Sequence, residues 1–332
     1  MRFGLYLGVG DPQLPPEQQI DQWTDMMRLA GAAGYTDIAA PYHWVSYPVK
    51  FFHPLILMAR LAAEPGTWRL ATGTIQIALV NPVELAEQVA TLDALSKGRF
   101  TLGVAIGYRA QLFEAAGVER SERVGRFEEA LDLMKKLWTG EAVTHHGRYY
   151  HLTAGRMGFT PVQKPHPPIW IGAQSDAAAA RAGRLGDGLL APPQATLDDI
   201  RRYGEIFHAA RRARGLTDRA PIGAYRNVCV AERRDEAYRL AESVLPTGWA
   251  YYKKVGLQEP NTPELVIPFE REVRERALVG DPVEVAERIA AYAEVGVTHI
   301  YTRLIQAGWS QQMPTDTLRV LCEQVLPRVP LG

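Results

Sequence analysis

His43 lies in the run Pro41-Tyr-His-Trp-Val-Ser-Tyr-Pro48, among aromatic residues. An imidazole gives and takes a proton near neutral pH without special surroundings, which makes His43 a candidate acid, base or hydrogen-bond partner. A histidine packed inside an aromatic cluster reads equally well. Leu70-Ala-Thr-Gly-Thr-Ile-Gln76 sets Gly73 and Thr74 inside an apolar strand pattern, where a glycine marks a bulge or a close approach of backbones. In Ala105-Ile-Gly-Tyr-Arg109, Gly107 would let a ligand reach the main chain and Tyr108 could hydrogen-bond a substrate. Arg109 could grip a phosphate or carboxylate through two parallel bonds, or simply stand in solvent. Ile169-Trp-Ile-Gly-Ala-Gln-Ser175 passes from a strand into a helix. The N–H groups of that first turn form a natural anion site, and Ser175 suits the N-cap; the two roles share one helix end.

Other chemistries find little support. His145, His146, His151 and His166 come without cysteines and without His-x₃-His helical spacing, which argues against a metal site. No Gly-x-Ser-x-Gly elbow supports a serine hydrolase. Leu7-Gly-Val-Gly-Asp11 is followed by Pro12 and does not complete a dinucleotide-binding fingerprint.

The elements that must position these residues alternate from end to end. Strand patterns cover Arg2–Gly8, Thr36–Ala40, Arg69–Ala78, Phe100–Ala105, Pro168–Ala173, Asp187–Ala191, Pro221–Ala231 and His299–Ile305. Helical patterns follow them over Pro16–Ala33, Leu55–Ala63, Ser121–Trp138, Asp176–Leu185, Thr196–Arg214, Arg234–Val244, Pro282–Glu294 and Thr315–Val325. The clearest unit is Asn81–Gly107. Asn81 caps a helix, Pro82 takes its first position, Glu84 completes a capping box, and Leu85, Val89, Leu92 and Leu95 mark one buried face. Gly98 then ends the helix ahead of the strand. Asp281-Pro-Val-Glu-Val-Ala-Glu repeats the capping chemistry, which convergent caps explain better than a duplicated half. Eight strands, each followed by a helix, predict a (β/α)₈ TIM barrel in one domain over residues 1–332. Excursions follow strand four (141–168, with a hairpin) and strand seven (246–279). The second would roof the pocket, its Trp249, Tyr251, Tyr252 and Phe269 serving either an apolar substrate or packing. In such a barrel the strand ends named above meet at one mouth.

The 332 residues are 47% hydrophobic with a formal net charge of zero, so no broad attraction to nucleic acid or to an anionic membrane is expected. No stretch approaches the roughly 20 apolar residues of a membrane span, and Met1–Gly10 does not read as a signal peptide. Cys229 and Cys322 fall in different elements, so a disulfide framework is not expected and a reducing cytoplasm is the expected location.

Within Asn81–Gly107, the pattern Pro-x-x-x-Ala-Glu-x-x-Ala-x-Leu-Asp-x-Leu-Ser-x-Gly-Arg-Phe-x-Leu-Gly resembles the signature of the bacterial luciferase-like flavin oxidoreductases. Leu137-Trp-Thr-Gly140 and Pro168-Ile-Trp-Ile-Gly-Ala173 are also typical of that family, and the resemblance runs from Arg2 to about Tyr301. It implies an active-site role for His43, although Tyr42 stands where the family has an acidic residue and Trp44 where it has histidine or phenylalanine. It implies a non-proline cis peptide at Gly73–Thr74 beneath the flavin ring. Gly172, Ala173, Gln174 and Ser175 would hold the flavin phosphate. Tyr108 stands where the deazaflavin-dependent sugar-phosphate dehydrogenases carry a catalytic glutamate, which argues against that reaction. The activity implied first is a monooxygenase using reduced FMN from a separate reductase, with O₂, on a small organic substrate. The second is hydride transfer with coenzyme F420, and a third is a non-catalytic flavin-binding barrel. Homodimers packed through barrel helices are common in the family.

Overall fold

The structure is a computed structural model that describes residues 1–7, 10, 14–46, 50–254, 266–304 and 313–329, without the side chains of 247–249, 251, 252, 254 and 313. The strands are β1 (Arg2–Tyr6), β2 (Asp37–Ala40), β3 (Arg69–Thr72), β4 (Ile75–Gln76), β5 (Phe100–Ala105), β6 (Val143–His146), β7 (His151–Gly155), β8 (Ile169–Gly172), β9 (Gly188–Ala191), β10 (Ile222–Val230), β11 (Leu278–Gly280) and β12 (His299–Arg303). The helices are α1 (Pro16–Ala32), α2 (Pro54–Leu61), α3 (Pro82–Leu95), α4 (Ala110–Ala115), α5 (Arg123–Leu137), α6 (Asp176–Leu185), α7 (Leu197–Arg212), α8 (Arg234–Lys254), α9 (Phe269–Glu275), α10 (Pro282–Glu294) and α11 (Met313–Val320).

Eight parallel strands pair in the cyclic order β1, β2, β3, β5, β8, β9, β10, β12, and β12 pairs back to β1 with Arg2 opposite His299. This closure is the expected TIM barrel. Every strand is buried on both faces, so the strands read as continuous apolar runs rather than alternating ones. The lumen is filled by Tyr6, Ala39, Ala71, Trp170, Leu190, Tyr225 and Tyr301, which makes the barrel a solid floor under its C-terminal mouth.

The Asn81–Gly107 unit forms as α3 and β5, but its polar residues act differently from the expectation. Asn81 caps α3 by accepting from the Val83 and Glu84 N–H groups, while the Glu84 carboxylate accepts from Gln88 instead of closing a box. Asp281 caps α10 in the same way, also without a box. The full capping box lies at Thr196 and Asp199 of α7. Leu95 is exposed; Leu85, Ala86, Val89, Ala90, Leu92 and Asp93 form the buried face. Asp93, fully buried, accepts from the Gln163 N–H at 2.9 Å and its Nε2 at 2.7 Å. Arg99 donates to the carbonyls of Ser96, Trp68 and Ala62. Arg99 immediately precedes β5, so this part of the signature fastens loops at the closed end of the barrel, away from the mouth.

Three boundaries differ from expectation. The expected strand Arg69–Ala78 is interrupted after Thr72 and resumes as β4, followed by a 3₁₀ turn at Ile77–Leu79. Helix α8 runs past Val244 through Pro246 to Lys254. A proline there removes one helical hydrogen bond, while Val244 and Leu245 are buried against Cys229, Val273 and Val279. Strand β11, inside the expected excursion, pairs with the overhanging end of β10, Val228–Val230. The excursion after strand four does contain a hairpin: β6 and β7 are antiparallel. Its tip is held to α5 by the Glu129 carboxylate, which accepts from the N–H groups of Arg148, Tyr149 and Tyr150. Phe269 packs edge-on against Tyr238 of α8 rather than into the mouth. The side chains of Trp249, Tyr251 and Tyr252, and the end of the expected first strand at Gly8, lie outside the described residues, as does Ile305. No described helix is long and apolar enough to cross a membrane. Cys229 and Cys322 are both buried thiols, pushed up to about 12 by burial.

Candidate active site

The C-terminal strand ends converge as the barrel requires. β3 ends in Gly73–Thr74, whose peptide bond is cis, the geometry that the family resemblance implies. The Gly73 N–H donates to the Ala40 carbonyl at 2.6 Å, and its carbonyl accepts from the Tyr6 hydroxyl at 2.9 Å. A β-carbon on Gly73 would lie 2.6 Å from the Tyr225 Oη, so only glycine fits over this aromatic floor. Gly172, at the end of β8, faces the same point: a β-carbon there would stand 3.6 Å from Ala105 Cβ and 3.7 Å from Thr74 Cγ2. Thr74, Ala105 and Gly172 thus form a continuous shelf.

Gly107 has φ of +80°, which an L side chain rarely adopts, and turns the chain after β5. The turn sends Tyr108 toward His43, the two rings meeting edge to face at 6.3 Å, while Phe51 lies 4.8 Å from His43 on another side. His43 retains some exposed surface as a residue, but its Nδ1 is buried and has no hydrogen-bond partner. Burial, then the positive charges of Arg109 and Arg303, lower its pKa from 6.5 to about 3. His43 is therefore a neutral imidazole at physiological pH, able to accept or donate a hydrogen bond without carrying charge.

Arg109 is 3% exposed and does not stand in solvent; it donates to the Trp44 carbonyl and to Gln111 Oε1, each at 3.1 Å. Gln76 is also buried; its Nε2 donates to the Tyr42 carbonyl at 2.9 Å and its Oε1 is left without a partner. On the far side of the lumen, Asn227 and Arg303 are register partners, 2% and 5% exposed. Each lies two residues beyond a lumen tyrosine, Tyr225 and Tyr301, so the period of two lifts both side chains one layer above the floor. The Arg303 guanidinium lies 5.6 Å from the Tyr6 ring centre. The residue-by-residue reading missed Gln76, Asn227 and Arg303, yet counting in twos from the lumen aromatics would have found the last two.

Ser175 caps α6 by accepting from the Ala178 N–H at 3.3 Å. The N–H groups of Ser175, Asp176 and Ala177 belong to the first turn and have no carbonyl of the helix to reach. Ala173 is a strand residue in its bonding: its N–H donates to the Leu190 carbonyl and its side chain is buried. Gln174 and Ser175 are exposed. An anion at this turn would therefore meet Ser175 and the N–H groups after it, with Gly172 and Ala173 shaping the approach. The Asp176 carboxylate in the same turn is directed to Arg202, 3.4 Å away. His145 Nε2 lies 3.2 Å from the Glu129 carboxylate on α5, and the His146 ring lies 6.4 Å from that of His151 on the hairpin.

A closed parallel barrel with a solid aromatic floor, a glycine-lined shelf and a neutral buried histidine at its C-terminal mouth belongs to the class of barrel enzymes. The family model described as Luciferase-like monooxygenase matches residues 1–299, and the chain belongs to that family, as a flavin-dependent oxidoreductase. It is 25% identical over 350 positions to the oxygenase component of the flavin-dependent trigonelline monooxygenase of Acinetobacter baylyi, covering 98% of this chain and 95% of that protein. Its fold is shared with the oxygenating constituent of 3,6-diketocamphane monooxygenase from Pseudomonas putida, solved with FMN, at a TM-score of 0.82 and 20% identity over 100% of this chain and 99% of that one. The same fold occurs in an F420-dependent secondary alcohol dehydrogenase, at a TM-score of 0.80 and 17% identity over 99% of each chain.

Proposed function

We propose that this chain is the oxygenase component of a two-component monooxygenase, using reduced FMN from a separate flavin reductase and O₂ to oxygenate a small organic substrate. The observation that carries the reading is the pairing of the Gly73–Thr74 and Gly172 shelf with the buried, unpartnered Nδ1 of His43 above an aromatic floor. A flat heteroaromatic ring suits this place: the shelf has no side chain larger than threonine, and the imidazole offers it or the substrate one unanswered hydrogen-bonding atom. Gly73 and Thr74 would support the ring, Gly107 would admit it close to the main chain, and Gly172, Ala173, Gln174 and Ser175 would surround the phosphate, with the helix N–H groups binding its oxygens. Bound reduced FMN supplies the electrons, and with O₂ the oxygen atom, that no side chain can.

The chain's own residues then have three tasks. The lumen aromatics close the barrel from below and keep water from that side. His43, held neutral, accepts or donates a hydrogen bond to the substrate or the ring edge without taking up charge. Tyr108 offers a hydroxyl to the substrate across from His43. The family relative that is itself an oxygenase component supports a separate reductase. Tyr108 in place of a glutamate weighs against the sugar-phosphate dehydrogenase version of deazaflavin chemistry.

The deciding experiment titrates the protein with FMN, reduced FMN and F420, followed by oxygen uptake with a reductase supplied. Tight binding of reduced FMN and substrate-dependent oxygen consumption are expected. Tight F420 binding without oxygen consumption would replace this reading by hydride transfer. Flavin binding with normal properties in His43→Ala and no turnover in either protein would leave only a flavin-binding barrel.

A further inference from the structure

Two carboxamides at the mouth are tied down through their nitrogens and left unanswered at their oxygens. Gln76, 5% exposed, ends β4 in register with Ala105 of β5. Register partners on neighbouring strands send their side chains to one side, so Gln76 shares the face on which Ala105 forms the shelf. A β-carbon on Gly107 would lie 3.4 Å from the Gln76 Cβ and Cγ, which sets the side chain beside that turn. Its Nε2 donates to the Tyr42 carbonyl at 2.9 Å, while its Oε1 is buried with no partner. Asn227, 2% exposed, rises from β10, which stands four places from β3 in the ring of eight strands. Two residues before it, Tyr225 crosses the lumen, since its Oη would meet a β-carbon on Gly73 at 2.6 Å. Asn227 has the same facing one layer higher, with a side chain too short to span that width. Its Nδ2 lies 3.5 Å from Glu272 Oε1, and its Oδ1 is buried with no partner. Turning either amide over would set oxygen against oxygen, so both unanswered atoms are acceptors.

A buried oxygen that no donor reaches is costly, and such atoms mark where a ligand or an ordered water completes a site. Two acceptors call for N–H or O–H groups. A carboxylate would set lone pairs against lone pairs, and a hydrocarbon would leave both oxygens unanswered. The walls nearby are aromatic: Tyr225 lies below, and Tyr42 and Trp44 pack 5.6 Å apart on the β2 side. We propose that the mouth selects neutral, flat substrates carrying an N–H or O–H donor, such as lactams and hydroxyarenes, and that Gln76 and Asn227 determine this specificity. This deepens the oxygenase reading and rests on it, since the donor is the handle of the molecule oxidised there. Asn227 stands across the mouth from the Thr74–Ala105–Gly172 shelf, on the side left to the substrate. Gln76 borders the shelf, and a flavin ring has N–H groups of its own, so cofactor and substrate affinities are measured side by side.

Isothermal titration of the full chain, with and without FMN, compares 2-pyridone with N-methyl-2-pyridone and phenol with anisole. In each pair a methyl group replaces the donor hydrogen. The donor is expected to bind about fivefold more tightly in at least one pair, the scale of one neutral hydrogen bond. Gln76→Met and Asn227→Leu are each expected to cut that preference to about twofold or less, with FMN affinity within about twofold of the parent. Gln76→Glu and Asn227→Asp keep an acceptor oxygen and are expected to retain the preference; they carry the test if the apolar variants do not fold, and its loss in both would then overturn the proposal. Equal or absent binding within both pairs of the parent overturns it, as it would if ordered water answers the two oxygens. A preference that survives both apolar variants also overturns it, because the added methyl group then acts by bulk alone. Loss of FMN affinity in Gln76→Met with the preference intact would assign Gln76 to the cofactor ring and overturn its role here. If the parent binds neither FMN nor reduced FMN but still prefers the donor probes, the oxygenase reading falls while the donor site stands.

Discussion

His43 offers the sharpest test of the site, because its neutrality has a thermodynamic signature separate from catalysis. In the unfolded chain its pKa is that of an ordinary imidazole, about 6.5, while in the fold it is about 3. Above pH 6.5 both states are neutral and the group contributes nothing to the pH dependence. Below 6.5 the unfolded state takes a proton that the folded state refuses, so stability is lost as pH falls from 6.5 toward 3. The slope approaches 1.4 kcal/mol per pH unit, or roughly 3 kcal/mol two units below the unfolded value. His299, whose pKa is also lowered to about 3 chiefly by burial, adds a second contribution of the same sign. His43→Gln keeps a hydrogen-bonding side chain but cannot titrate. Urea unfolding at pH 7.0, 5.5 and 4.5 should therefore give a variant that loses stability more slowly than the parent, the two curves diverging by about 1 kcal/mol or more per unit below pH 6. Parallel curves would refute the argument, since they would mean that His43 titrates alike in both states. The kinetic counterpart follows from the same value: kcat/KM should show no ionisation of His43 between pH 5 and 8. An acidic limb near pH 6.5 that disappears in His43→Gln would contradict the neutral, buried imidazole.

Arg226 is fully buried and donates to Tyr292 Oη at 2.6 Å, to the Pro192 carbonyl at 3.0 Å and to the Ala195 carbonyl at 2.9 Å, thereby holding the loop after β9. Arg226→Met should cost about 3 kcal/mol by leaving those carbonyls unpaired, measured by urea unfolding, and an unchanged midpoint would show that water replaces the guanidinium without loss. Asn81→Ala should cost about 1 kcal/mol through loss of the α3 cap, whereas Glu84→Ala should cost only a few tenths because no box is closed there; similar losses for both would restore the box. Gly73→Ala should destabilise by about 1–3 kcal/mol because its β-carbon would fall 2.6 Å from Tyr225 Oη, and Tyr225→Phe, which removes that atom, should recover part of the loss in thermal melts.

Much of the barrel was readable because each strand is short, apolar and followed by an amphipathic helix with a legible start. Asn81, Thr196 and Asp281 mark three helix starts by side chains whose oxygens accept from the first turn. Local chemistry of this kind is written in neighbouring residues and needs no tertiary context. The failures are equally physical. Leu95 fits the helical period but lies at the last turn of α3, where the stripe has turned out of the core. Pro246 reads as a helix stop, but packing of the preceding residues carries α8 onward. The three residues of β11 are too few for a strand pattern and exist because β10 overhangs the barrel and offers them an edge.

The site divides along the same line. His43, Gly107 and Ser175 could be picked out as chemistry-bearing residues at strand ends, since a barrel brings such ends together. Sequence alone also determined the repeating units and their closed order. It did not determine the charge state of His43, which depends first on burial and then on Arg109 and Arg303, 66 and 260 residues away along the chain. Nor could it tell that Arg109 is buried, that Asn227 and Arg303 stand on the tyrosine floor, or that Asp93 and Arg99 of the family signature serve the opposite end of the barrel. Burial and electrostatic neighbourhood are sums over residues far apart in the chain, so only the closed barrel decides them.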